Sequence, residues 1–472
     1  MRALEHKRVL VVGLGASGVA AAELARARGA AVTAVDSAES AGLREVAARL
    51  GGLGITVLLG CKTLPPGAFD LAVLSPGVPP SAGLMRQIRE REIPAISELE
   101  LGWQQSLCLS VAITGTNGKT TTTELVERVL TRHHLRTVAA GNIGLPLCAV
   151  APRSRELDIL TLEVSSFQLE AIEHFRPAVG VLLNITPDHL DRHPDMDAYA
   201  RIKARLFQNQ QAFDWAVVQQ EAWERLRALG VELRSKVVTF SAARSDADLC
   251  LDRGLLISRL EGWTGPLLDM NRCRLRGPHN AENLMATLAV GRALRVPLEV
   301  MVEALESYEP APHRCEVVGQ IAGVTYVNDS KATNVDAVAR ALQTMPAGPD
   351  PTAPNVWLLA GGRDKGFDFY ELGPLLSRRV KGAFLFGETA EKIRAAWSLF
   401  TACAPVGTLL EAVSEAAKRA APGDVILLSP ACSSFDQFQN YQHRGLVFRQ
   451  AVEALAGTGG RKASPTSNVN TE

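Results

Sequence analysis

Short apolar runs rich in Val, Ile and Leu alternate with longer Ala/Leu/Arg-rich stretches along most of this chain, and that alternation restricts the fold more than any other feature. An apolar run followed by helix-forming sequence reads as a strand and its crossover. Repeats of this unit build parallel sheets covered on both faces. Three series stand apart. RVLVVG, AVTAVD and LAVLSPG, ending near Gly77, predict a first sheet. LSVAIT from Leu109, DILTLEVS and VGVLLNIT, ending near Thr186, predict a second, with TTTELVERVL as the helix after its first strand. GVTYVND, NVWLLAGG, GAFLFGE and DVILLSP predict a third. The expected fold class is α/β in three domains: residues 1–99, 100–311 and 312–456, with joints near Glu98–Gln104 and Glu309–Arg314. The PAGPDPTAP stretch after Met345 reads as a surface loop. The tail 457–472 has too little apolar content to pack and reads as disordered.

Bulk properties narrow the function classes. Fifty Lys+Arg balance fifty Asp+Glu, which argues against general nucleic-acid or membrane-surface binding. The start, Met1 to Arg8, is charged and lacks the apolar stretch of about 7–15 residues of a signal peptide. No run is long enough to span a bilayer. The eight cysteines (Cys61, Cys108, Cys148, Cys250, Cys273, Cys315, Cys403, Cys432) contain no CxxC pair. They read as buried or spare thiols of a reducing compartment. The expectation is a cytoplasmic protein of several domains that neither binds nucleic acid nor inserts into membranes, and that acts as a monomer.

The strongest local signal is Thr114-Gly-Thr-Asn-Gly-Lys-Thr120, between an apolar strand and a helix. Backbone N–H groups of Gly115, Thr116, Asn117, Gly118 and Thr121, with the positive end of the following helix, form an anion cradle. Lys119 suits the β/γ-phosphates of ATP, and the Thr120 hydroxyl suits Mg2+. The general phosphate-loop pattern wants a glycine where Ile113 stands, which points away from kinases and motor ATPases. Glu163 ends one predicted strand and His189 follows the next, on the sheet edge that carries the loop. Thr120, Glu163 and His189 are therefore candidates to share a metal. Lys203, fourteen residues after His189 on a helical stretch with Arg201 and Arg205, reads without further context as part of a solvated basic face.

Gly13-Leu-Gly-Ala-Ser-Gly18 opens a helix after VLVV, with Asp36 eighteen residues after Gly18. This is the spacing of a dinucleotide fingerprint. It supports a phosphate-binding turn with Asp36 near a ribose or base. An NAD-dependent dehydrogenase stays open on this motif, although no dehydrogenase chemistry follows it. A nucleotide-diphosphate substrate is compatible both with this turn and with the ATP-loop chemistry downstream.

Larger motifs carry a resemblance: ITGTNGKTT at the loop, GNIGLP from Gly141, LEVSSFQLE from Leu162, NITPDHLDRH from Asn184, GPHNAEN from Gly277, HRCE from His313, NDSKATN from Asn328 and SPACSSFDQFQNYQHRG from Ser429. Through these the chain resembles the Mur ligases over nearly its whole length to about Leu455, within them the branch that adds D-glutamate. SSFQLE and the C-terminal motif discriminate that branch, and the DNPR signature of the diaminopimelate- and lysine-adding branches is absent. Another Mur ligase, or a folylpolyglutamate synthase, remains an alternative within the class. The resemblance implies a UDP-sugar-binding Rossmann-like domain, a central phosphate-loop ATPase domain and a Rossmann-like amino-acid domain. The implied reaction is ATP-dependent addition of D-glutamate to UDP-N-acetylmuramoyl-L-alanine through an acyl phosphate, in cytoplasmic peptidoglycan-precursor synthesis, with ATP and a pair of Mg2+ ions.

Residue by residue, the resemblance places the uridine diphosphate substrate on Ala16, Ser17, Asp36, Ser37, Ser75, Gly77, Asn142 and Ser165. Ala38 stands where some relatives have an arginine. ATP would meet the loop and Lys119, with Asn280 and Asn283 beside the adenine and Arg314 and Asp329 contributed by the third domain. Metal would sit on Thr120, Glu163, His189 and a carbamylated Lys203, and Lys119, Glu163, His189 and Lys203 form the implied catalytic set. D-glutamate would lie on Thr333, Lys365, Ser434, Phe435 and Tyr441. The chemistry makes sense of these types. A carboxylate attacking a polyphosphate sets anion against anion, so cations must offset the repulsion. D-glutamate is a small dianion that wants a lysine and hydroxyls. The motifs assign no base for its amine.

Overall fold

The computed structural model describes residues 3–190, 192–309, 312–364 and 366–459. These form sheets of five, nine and six strands. The first contains β1 (Arg8–Val12), β2 (Ala31–Val35), β3 (Thr56–Leu58), β4 (Leu71–Leu74) and β5 (Ala95–Ser97), parallel in the order β3-β2-β1-β4-β5. Along β1, Val9 and Val11 pack with the helix Ala16–Ala27, while Leu10 and Val12 face the opposite core with Leu84 and Ile88. Period-two side chains buried on both faces are what a continuous apolar run produces.

The second sheet contains β6 (Leu109–Thr114), β7 (Thr137–Gly141), β8 (Ile159–Glu163), β9 (Val179–Leu182), β10 (Trp215–Gln219), β11 (Lys236–Ser241), β12 (Leu249–Asp252), β13 (Leu255–Ser258) and β14 (Gly265–Asp269). Its order is β14-β13-β12-β11-β10-β9-β6-β8-β7, parallel except for the antiparallel β12–β13–β14 edge. Val111 and Ile113 pack against Leu125, Val126 and Val129 of the helix Lys119–Arg132, with the helix Pro278–Ala293 on the same face. Ala112, Leu160 and Leu162 face Phe175, Ala200 and Phe207 on the other.

The third sheet contains β15 (Glu316–Ile321), β16 (Val324–Asn328), β17 (Val356–Gly361), β18 (Val380–Phe386), β19 (Ala402–Pro405) and β20 (Val425–Leu428). Its order is β15-β16-β20-β17-β18-β19, with only β15 antiparallel.

Contacts divide the chain into two compact units. Met1–Ile185 with Arg192–Tyr308 carries the first two sheets, and Thr186–Asp191 with Glu309–Glu472 carries the third. The joint expected at Glu98–Gln104 is a helix capped by the Ser97 hydroxyl, with Glu98 and Glu100 buried. Glu100 fits there because its carboxylate accepts the backbone N–H groups of Glu173, His174 and Phe175 at 3.0, 3.0 and 2.8 Å. Glu98 is less well provided. Its Oε1 accepts the Cys148 N–H at 2.7 Å, its buried Oε2 has no partner, and burial raises its pKa to about 7. The PAGPDPTAP stretch is largely exposed. The tail expectation fails at its start, because the last helix, Tyr441–Gly459, includes residues 457–459; the remainder, 460–472, lies outside the described residues. All eight cysteines are free thiols. Among the described residues no helix is long and apolar enough to cross a membrane.

Candidate active site

The phosphate loop joins β6 to the helix Lys119–Arg132. Gly118 is the N-cap at φ 86°, and a Cβ there would lie 2.3 Å from Asn283 Oδ1. Left-handed backbone and lack of room both demand glycine. The buried Asn184 shapes the loop: its Oδ1 accepts the N–H groups of Thr116 and Asn117 at 3.1 and 2.8 Å, and its Nδ2 donates to the Asn117 carbonyl at 3.0 Å. Lys119 Nζ donates to the carbonyls of Gly115 and Thr116 at 2.9 and 2.8 Å.

A second ammonium converges on the same carbonyl. Lys203, from the helix Met196–Ala204, donates to the Gly115 oxygen at 2.8 Å with only 1% of its surface exposed. The basic-face reading of Lys203 is therefore wrong: Tyr199 and Ala200 bury that side of the helix, carrying the lysine inward under the loop. Opposite, Thr120 Oγ1 donates to Glu163 Oε2 at 2.7 Å, and Asn142 Nδ2 donates to Glu163 Oε1 at 2.8 Å. Asn142, expected at the UDP substrate, thus braces the carboxylate. Thr121 is buried on the first turn. Thr122 donates to Asn283 Oδ1 at 3.2 Å and Asn283 to Asn280 Oδ1 at 3.1 Å, so the expected adenine residues reach back to the loop. Ser165 caps the short helix Ser166–Leu169 through a reciprocal pair with Gln168.

A Thr hydroxyl and a buried carboxylate in hydrogen-bond contact are hard oxygen donors of the kind Mg2+ takes. Among the described residues no cluster of three or more His, Cys, Asp or Glu forms a metal site. The expected set contains only two residues of those types, Glu163 and His189, beside Thr120 and Lys203.

At the first sheet a cavity of about 480 Å³ lies at the ends of β1, β2 and β4, lined by Gly13, Gly15, Asp36, Ser37, Ser75 and Gly77. Ala16 and Ser17 begin the adjoining helix without lining the cavity. Asp36 accepts the N–H of Leu14 at 2.7 Å and of Ala38 at 2.9 Å, so its carboxylate holds the glycine turn. Cys61 and Lys62 also line the cavity; no motif pointed to them.

The second unit carries the remaining candidates. His189, with φ 57° and a side chain 32% exposed, follows Asp188, whose Oδ2 accepts from Asn334 Nδ2 at 3.1 Å; Thr186 donates to Asp336 at 3.2 Å. Those bonds explain why Thr186–Asp191 clusters with this unit. Asp329 accepts from Ser429 at 2.9 Å and from the Cys315 N–H at 3.2 Å, and burial raises its pKa to about 7. Arg314 and Thr333 are half-buried, Ser434 is buried, and Phe435 is 65% exposed. Tyr441 lies under Lys331 Nζ at 4.1 Å. Lys365 lies outside the described residues. Sequence reasoning missed Arg444, a fully buried guanidinium that donates to Ser330 Oγ, Ser330 O and Cys432 O at 3.0, 2.8 and 3.1 Å. Burial lowers its pKa to about 10. Asn184 and Arg444 both stood inside recognised motifs, which was the available signal.

The Mur ligase middle domain matches residues 113–291, and the Mur ligase glutamate ligase domain matches 313–432. UDP-N-acetylmuramoylalanine–D-glutamate ligase of Acidobacterium capsulatum is 41% identical over 96% of this chain and 98% of its own. The chain is a Mur ligase. The Koribacter versatilis protein of the same name is 41% identical over 95% of this chain and 98% of its own. A pseudomurein peptide ligase type C from Methanothermus fervidus superimposes with a TM-score of 0.60 at 18% identity, covering 95% of this chain and 100% of that one, which speaks for the fold. As a Mur ligase the chain is an ATP-dependent, Mg2+-using enzyme that forms carbon–nitrogen bonds.

Proposed function

We propose that this Mur ligase joins the amine of D-glutamate to the L-alanyl carboxylate of UDP-N-acetylmuramoyl-L-alanine, in the cytoplasm and as a monomer, during peptidoglycan-precursor synthesis. The observation that carries the reading is the convergence of Lys119, Lys203, Thr120 and Glu163 around one phosphate loop, in a chain about 41% identical to D-glutamate ligases over nearly its full length.

The loop N–H groups and the start of the helix Lys119–Arg132 gather the triphosphate, and Lys119 offsets charge at the transferring phosphoryl group. Thr120, Glu163, His189 and a carbamylated Lys203 would hold two Mg2+ ions, which supply charge neutralisation and alignment when bound. Carbamylation joins the Lys203 amine to carbon dioxide and releases a proton, replacing a cation with an anion. The L-alanyl carboxylate takes the γ-phosphoryl group and ADP leaves. The D-glutamate amine then attacks the acyl carbon, expelling phosphate and leaving the amide. The cavity beside Asp36, Ser37, Ser75 and Gly77 takes the uridine diphosphate, with Ala16, Ser17, Asn142 and Ser165 along the substrate; Asn280, Asn283, Arg314 and Asp329 serve ATP. Thr333, Lys365, Ser434, Phe435 and Tyr441 hold D-glutamate. Domain limits of 1–99, 100–311 and 312–456 fit this division of labour.

The test is phosphate release with ATP and UDP-N-acetylmuramoyl-L-alanine, comparing D-glutamate with L-glutamate. Release dependent on the D-isomer is expected. Equal release with both, or with neither, would refute the assignment.

A further inference from the structure

Arg192 spans two parts of the first unit that no motif connects. Its side chain is 11% exposed, and its guanidinium lies 4.0 Å from the centre of the Phe167 ring. Nε and Nη2 form a fork on Glu170, at 2.9 Å to Oε1 and 2.5 Å to Oε2. The outer donors reach the first sheet: Nη1 to the Pro76 carbonyl at 2.8 Å and Nη2 to the Val78 carbonyl at 3.2 Å. Glu170 is itself held, since Arg205 donates to its carbonyl at 2.5 Å and to that of Ile172 at 2.7 Å.

The two ends of this bridge carry different tasks. Gly77 and Val78 line the nucleotide cavity. Phe167 and Glu170 belong to the turn of chain that begins with Ser165, two residues beyond Glu163 of the phosphate-loop cluster. A planar fork satisfied on one carboxylate, one ring face and two carbonyls has little freedom to shift, which a lysine ammonium cannot reproduce.

We propose that Arg192 is a positioning residue that fixes the reach between the nucleotide cavity and the phosphoryl-transfer cluster, so that the far carboxylate of a cavity-anchored substrate arrives in line. The inference rests on the reading of the two sites given above. Cavity contacts from the ends of β1, β2 and β4 do not involve Arg192, so nucleotide affinity should survive its loss while productive alignment should not.

The experiment compares wild type, Arg192→Ala and Arg192→Lys in turnover with UDP-N-acetylmuramoyl-L-alanine and in calorimetric binding of UDP and of ADP. For Arg192→Ala we expect kcat to fall about 30–100-fold while both dissociation constants stay within about threefold. Millimolar guanidinium should restore at least part of the lost turnover, whereas Arg192→Lys should show the same split at smaller amplitude. Unchanged turnover, or UDP affinity lost in step with kcat, would overturn the proposal. If the alanine variant does not fold, the lysine variant decides: a lowered melting temperature without the split between kcat and binding counts against it. Absence of D-glutamate-dependent turnover in wild type would instead strike the proposed function, leaving the binding measurements readable.

Discussion

The turn Gly13–Gly18 and the loop Gly115–Thr120 occupy equivalent places, each after the first strand of a parallel sheet and before a helix with no side-chain N-cap bond. Each offers backbone N–H groups and a positive helix end to an anion. Their surroundings differ. At the first, Asp36 is spent on the N–H groups of Leu14 and Ala38, and among the lining residues Lys62 is the one cationic side chain. At the second, two ammonium groups share the Gly115 carbonyl, and a hydroxyl–carboxylate pair stands beside them. Glycine spacing makes a cradle. Ionisable side chains brought in from later strands and helices decide whether the cradle only holds its ligand or also reacts it.

Substitutions can separate those roles. The largest effect is expected from Lys119→Ala, which should cut ATP-dependent phosphate release by about 10³-fold while UDP-substrate affinity changes by less than about threefold. Retained turnover would erase the distinction between the two turns. Lys203→Ala should cost about 10²-fold, and short-chain carboxylic acids should restore part of it by replacing the missing anion. Indifference to added acid would leave Lys203 as a cationic brace of the loop. Asp36→Ala should do the reverse of Lys119→Ala, raising KM for the UDP substrate about tenfold through a loosened turn with kcat nearly unchanged.

The smallest effect concerns Glu98, between the two sheets. Its carboxyl has a pKa near 7 in the folded chain, against 4.5 as its ordinary value, so the folded state keeps a proton that the unfolded state releases. Stability from this group is full below pH 4.5, declines as pH rises to about 7, and is flat above. The decline is roughly 3 kcal/mol at most. Glu98→Gln should therefore flatten the fall in melting temperature between pH 5 and 7.5, measured by calorimetry; an unaltered pH slope would show that the buried carboxyl does not titrate there.

The parallel α/β plan was readable because runs such as Val9–Val12 and Val111–Thr114 are apolar on both faces, as only doubly covered strands are. The short edge strands β3, β5 and β19 and the antiparallel extension β12–β14 escaped, since three- to five-residue segments with mixed polarity carry no period; β7, β10, β11 and β15 escaped as well, their apolar stretches being short and interrupted by Thr, Gly or Gln. At the site, the loop and Glu163 were legible from strand-end position. The burial of Lys203 was not, because helical spacing gives a face without saying what covers it. The tasks of Asn184, Arg192 and Arg444 were equally hidden, for they depend on carbonyls and side chains distant in sequence.

The third sheet places β20 between β16 and β17, although its residues, Val425–Leu428, come near the end of the chain. Val327 and Leu358 both register with Leu427, so neither half of that sheet meets the other until β20 has been made. The first sheet, by contrast, has all its strands by Ser97. During synthesis the first sheet and its cavity can form early, while the third sheet stays in two pieces until the ribosome has passed Leu428. A chain stopped before Val425 should therefore keep the first sheet but leave the two halves of the third unjoined.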